Sequence, residues 1–166
     1  MIKPIFIYGE SILRGLSSAY TVGTDLSETI QDLWDTMYNA NGAGLAGVQI
    51  GISKRIFVID LPDQEWEQVF INPVIITKSG EDTIMNEGCL SLPNLEGSIS
   101  RPENISIDYY DENWNHKRED YRGIRSRVIQ HEYDHLDGIL WIDRIDPGEG
   151  VKMIKDLQHL RLLNKK

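Results

Sequence analysis

Two histidines four residues apart, in His131-Glu132-Tyr133-Asp134-His135, constrain this chain more than any other feature. Ile124 and Val128 fall at helical spacing with them, so all four lie on one stripe of one helix. Gly138 follows as the stop signal of that helix. Side chains four apart on a helix point the same way, one turn apart. Both imidazoles can therefore reach a single metal ion. Glu132 follows the first histidine directly and can lie beside the metal without ligating it. A carboxylate there can take a proton from a metal-bound water, which is general-base chemistry. Taken alone, the pentapeptide also fits ordinary core or surface histidines.

A chain of 166 residues with 40% apolar and 26% charged content reads as one domain, 1–166, with a full core. No apolar run is long enough to span a bilayer, and the first residues lack a signal-peptide pattern. The expected address is cytoplasmic. A net charge of −9 argues against binding DNA or an anionic membrane. The charge is uneven: from Pro147 to Lys166 the net is +3, leaving −12 on the remainder. That basic C-terminal helix is either a solvated surface helix or a docking arm for the ribosome. The single cysteine, Cys89, excludes an intrachain disulfide.

Along the chain, residues 1–23 read as an extended entry and loop. A helix is expected from Asp25, capped by Asp25 with Glu28 completing a capping box, and ending near Asn41-Gly42. Leu26, Ile30, Leu33, Trp34 and Met37 form its apolar face. The small-residue run 42–51 allows close approach of another backbone but lacks the lysine of a phosphate loop. Separate strands are expected at 55–60, 68–71, 74–77, 81–86 and 104–110, with a returning strand after 113 and a short one at 139–142. The pattern is α+β: mostly antiparallel sheets packed around a central metal-binding helix, with an N-terminal and a C-terminal helix.

A catalytic two-histidine site needs a third protein ligand and an open position. A third histidine six residues after His135 would fall at Trp141, and Glu149 and Asp156 lie in the basic tail. Cys89, in Glu87-Gly88-Cys89-Leu90-Ser91, is the best remaining ligand, and a thiolate binds Zn or Fe(II) well. A zinc peptidase with its third ligand elsewhere is the rival; metal retention in Cys89→Ala would favour it.

Three segments, in order, resemble the signature motifs of peptide deformylases: Gly42-Ala43-Gly44-Leu45-Ala46-Gly47-Val48-Gln49, Glu87-Gly88-Cys89-Leu90-Ser91, and Gln130-His131-Glu132-Tyr133-Asp134-His135. The resemblance spans nearly the whole chain. It implies removal of the N-formyl group from the formyl-methionine of nascent proteins, releasing formate. It implies one divalent metal, natively Fe(II), with Zn, Ni or Co able to replace it. Carried across, it makes Cys89, His131 and His135 the metal ligands and Glu132 the base. It makes Gln49 and the Leu90 backbone N–H the oxyanion donors. Ala43, Gly44 and Gly88 fall where the family's backbone pairs with substrate. Ile124, Arg127 and Val128 are expected in the wall of the methionine pocket. Gly47 and Val48 depart from the usual family residues and loosen the backbone before Gln49. Glu96 stands where some relatives carry a basic residue. Arg101 is expected to pair with Glu87 and brace the cysteine loop.

Overall fold

Strand β2 (Ile56–Leu61) explains the architecture. Its first four residues are all buried, and they alternate between two cores. Ile56 and Val58 pack with Leu33 and Met37 of helix α1 (Ser27–Asn39). Phe57 and Ile59 pack with Ile129 and Leu136 of helix α2 (Gly123–Leu136). A strand covered on both faces reads as an unbroken apolar run, which is what Ile-Phe-Val-Ile is.

The computed structural model describes residues 1–163. Five strands form one antiparallel sheet in chain order: β1 (Gly44–Ala46), β2, β3 (Trp66–Cys89), β4 (Leu92–Tyr110) and β5 (His116–Arg122). The α+β expectation holds. A third core gathers Leu92, Ile99, Leu140, Trp141, Ile145 and Leu160 beneath the C-terminal helices α3 (Pro147–Lys152) and α4 (Ile154–Leu163). No described helix is long and apolar enough to cross a membrane.

Several boundaries differ from the sequence reading. The three strands expected between 68 and 86 are one strand, β3, with register shifts against β4 at Ile71/Val74, Ile75/Thr77 and Ser79/Asp82. The bulges absorb Pro73 and Gly80 without ending the strand. Helix α1 starts at Ser27 after Leu26, with no side-chain cap bond. Asp25 instead closes a local turn, accepting from Ser27 N at 3.0 Å and Ser27 Oγ at 2.7 Å. The expected strand at 139–142 is a 3-10 turn at Trp141–Asp143. The basic C-terminal helix is two helices meeting at Met153, and its Lys165 and Lys166 lie outside the described residues.

The end of α2 is as the sequence indicated. Gly138 has φ +73°, its N–H bonds His135 O at 3.2 Å, and Ile139 N–H bonds Asp134 O at 3.0 Å. That pair of bonds is a Schellman stop. A Cβ at Gly138 would sit 2.6 Å from Arg14 O, so a side chain is excluded by space as well as by φ.

Candidate active site

Strand β3 delivers Cys89 and helix α2 delivers His131 and His135 to one point. One donor atom from each lies within 4.8 Å of the others. Cys89 Sγ is 3.3 Å from His135 Nε2. His131 Nδ1 is held by Glu87 Oε1 at 2.9 Å, which leaves its Nε2 for the cluster. A soft thiolate with two imidazoles suits Zn or Fe(II), whose bonds of ~2.0–2.3 Å fit a triangle of this size. The donor set and its spacing therefore fit a divalent metal.

Glu132 stands beside this cluster, 4% exposed, with Oε2 buried and without a hydrogen-bond partner among the described residues. Burial pushes its pKa up to about 7; the His131 charge opposes the shift and Glu87 adds to it. The side chain sits against β1, where a Cβ on Gly44 would lie 2.5 Å from Glu132 Oε1. Only glycine leaves room for the carboxylate there. Burial lowers the pKa of His135 well below its usual value, helped by the charges of His131 and Arg101. Burial acts the same way on His131, but its hydrogen bonds to Cys89 and Glu87 outweigh it and raise that pKa.

Gln49 is buried at the end of a 3-10 turn, Gly47–Ile50. Its Oε1 accepts from Ala46 N at 2.9 Å, and its Nε2 donates to Ser91 Oγ at 3.0 Å and approaches Cys89 Sγ at 3.6 Å. Those bonds hold the amide at the cluster's edge. The departures at Gly47 and Val48 do not leave this turn slack: Gly47 O accepts from Ile52 N at 2.9 Å, and Val48 is fully buried.

The cluster forms the floor of a cleft of about 1000 Å³. Ala43, Gly44, Gln49, Gly88, Cys89, Leu90, Ile124, Arg127, Val128, His131 and Glu132 all line it. His135 lies beneath, fully buried. Thus the residues marked from sequence converge on one cleft.

A buried charge network lies behind the cleft. Arg101 donates to both Glu87 oxygens, at 2.7 and 2.9 Å, and to Asp134 at 2.8 Å. Arg127 donates to Glu87 at 2.9 Å, Ile99 O at 2.8 Å and Thr83 O at 2.6 Å. Arg144 donates to Asp134 at 2.6 and 2.7 Å. The expected Arg101–Glu87 pair is present, and both residues are buried. Asp134, Arg144, Thr83 and Ser91 are contributors that the sequence reading missed. Asp134 shares a helix stripe with Arg127, Gln130 and His131, and a polar stripe on a core-facing helix was the available signal. Ser91 stood in the cysteine motif without a role assigned to it; Arg144 and Thr83 come from distant positions and gave no signal.

The polypeptide deformylase family model matches residues 2–150. The chain belongs to that family. Among relatives of this family, the peptide deformylase of Karelsulcia muelleri is 47% identical over 152 residues, covering 87% of this chain and 79% of that one. A Plasmodium falciparum peptide deformylase structure superposes with a TM-score of 0.92 at 38% identity, covering 97% of this chain and 96% of that chain. A Synechococcus elongatus peptide deformylase solved with actinonin gives a TM-score of 0.86 at 36% identity, covering 94% and 87%. The chain is a deformylase by family, and its antiparallel sheet and helices follow the family fold.

Proposed function

We propose that this deformylase hydrolyses the N-formyl group of formyl-methionyl nascent chains, as one catalytic domain over 1–166 working in the cytoplasm. The observation that carries the reading is the convergence of Cys89, His131 and His135 donor atoms within 4.8 Å, beside a buried Glu132, on the floor of the cleft.

In this reading Cys89, His131 and His135 hold one divalent metal, natively Fe(II), with Zn, Ni or Co as substitutes. Bound there, the metal supplies Lewis-acid polarisation and makes water more acidic. Glu132 takes a proton from the attacking water as its oxygen bonds the formyl carbon. The same carboxyl then gives that proton to the amide nitrogen as the carbon–nitrogen bond breaks. Formate and a free methionyl amino terminus result. Burial without a hydrogen-bond partner among the described residues leaves the Glu132 Oε2 free to accept and return a proton. Gln49 Nε2 and the Leu90 backbone N–H donate to the oxygen that gains charge in the transition state. Ala43, Gly44 and Gly88 offer backbone to the peptide as to an added strand. Ile124, Val128 and the stem of Arg127 form the wall that receives the methionine side chain. The Arg127 guanidinium is already committed to Glu87, Ile99 and Thr83, so only its stem is left for that contact.

Glu87 fixes the His131 ring through its Nδ1 and is fixed in turn by Arg101 and Arg127. The basic residues Lys152, Lys155 and Arg161 of α3 and α4 are proposed to dock on ribosomal RNA; removal of 150–166 should weaken ribosome co-sedimentation.

The test is formate release from a formyl-Met tripeptide, by anaerobically prepared protein with its metal counted, beside Cys89→Ser. The reading expects formate from the wild type, and loss of both metal and formate in the variant. Full metal retention in Cys89→Ser would shift the site to a different ligand set.

A further inference from the structure

One charge on the cleft rim has no role in the chemistry above. Glu96 lies on β4 directly across from Gly88 of β3, in register with it. Its Cγ is 3.8 Å from the position a Gly88 Cβ would take, so its side chain lies over Gly88 on the cleft side. Asn86 Nδ2 donates to Glu96 Oε2 at 2.7 Å, which holds the carboxylate at the rim. Glu96 is exposed, and no ion pair engages it among the described residues.

The other charged residues of the lining are spoken for. Glu87 is 6% exposed and bound by Arg101, Arg127 and His131. Arg127 is 4% exposed and spends its guanidinium on Glu87, Ile99 and Thr83. Glu132 is buried on the floor. The rim residues Asn41, Ala43, Asn86 and Asn94 carry no charge. Glu96 is therefore the unneutralised charge that an entering peptide meets.

An extended peptide advances ~3.3 Å per residue. Gly88 immediately precedes the ligand Cys89 in β3. A peptide whose formyl group sits at the cluster and whose backbone follows Gly88 passes Glu96 within two residues of its methionine. We propose that Glu96 makes this deformylase selective for nascent chains with lysine or arginine at one of the two positions after formyl-methionine. This rests on the deformylase reading above. Attraction for a cation and repulsion of an anion at one solvated carboxylate add up to about tenfold in discrimination at low salt.

The test compares kcat/KM for formyl-Met-Lys-Ala and formyl-Met-Ala-Lys with their Glu counterparts, using metal-counted holoenzyme at low and high ionic strength. The Lys peptides should exceed the Glu peptides by about tenfold in one series, and added salt should shrink the gap. In Glu96→Gln the ratio should fall to about one; in Glu96→Lys it should invert. Glu96 is exposed, and unchanged melting temperatures would show that both variants fold. Formate released from all peptides at equal rates would overturn this inference alone. A Lys preference that survives Glu96→Gln would also overturn it. No formate from any peptide would overturn the deformylase reading and this inference with it.

Discussion

Helices α1 and α2 cover opposite faces of β2, yet different forces hold them there. Helix α1 is seated on β2 by Leu33 and Met37, both fully buried, with Ile30 and Trp34 packed around them, while its buried Asp32 and Thr36 bond the N-terminal residues Met1 and Lys3 instead of the sheet. Helix α2 buries only Ile129 and Leu136 among its apolar residues. Its other buried residues are Ser126, Arg127, Gln130, Glu132, Asp134 and His135. Apolar contact is non-directional and tolerates small slides and rotations. Hydrogen-bonded ion pairs fix both distance and angle. The helix that carries the site donors is held by the directional kind, at the expense of desolvating its charges.

The sharpest way to break this contrast is Arg101→Met. It removes the guanidinium that buried Glu87 and Asp134 share, leaving Arg127 on Glu87 and Arg144 on Asp134, and loss of one partner from such a network costs ~3–5 kcal/mol. Urea unfolding should show the loss, and metal content should fall with it because Glu87, which orients His131, loses two of its hydrogen bonds. The double variant Arg101→Met with Glu87→Gln should lose less than the two single losses combined, with a coupling above about 1 kcal/mol.

On the other face, Leu33→Ala should cost ~2–5 kcal/mol, since a fully buried leucine leaves a cavity. Its kcat/KM and metal content should stay at wild-type values below the melting transition. A drop in metal content would mean that α1 and α2 are coupled through β2 and that the contrast is too clean.

Smaller again is Gly138→Ala at the end of α2. A residue with φ +73° facing Arg14 O resists a side chain, and ~1–3 kcal/mol of stability should go. Thermal melting would read it. The loss should be felt at the helix end, with His131 still bound by Glu87.

The same contrast explains what the sequence disclosed. Helix α1 was legible from its period, because apolar seating writes itself every three or four residues. Helix α2 was legible from its chemistry instead, through His131, Glu132 and His135. The network behind it was only partly legible. Arg101 and Glu87 stand out as opposite charges flanking the cysteine loop, but Arg144 reaches Asp134, and Arg127 reaches Thr83, only in the packed fold. Strand β3 was broken into three by Pro73 and Gly80, because bulges that carry such residues depend on the partner strand. The run Ile139-Leu140-Trp141-Ile142 is apolar without a period. Leu140 and Trp141 are buried against Leu92 and Ile99 in a turn, and burial alone made them look like a strand.

The network behind α2 fixes Glu132 beside the donor cluster. The most direct measurement is formate release by Glu132→Gln at full metal occupancy, alongside the wild type on the same formyl-Met tripeptide. Loss of proton transfer should lower kcat by ~10²–10⁴-fold while metal per chain and melting temperature hold. Formate release within a few-fold of wild type, from a variant with its metal in place, would remove Glu132 from the proton transfer.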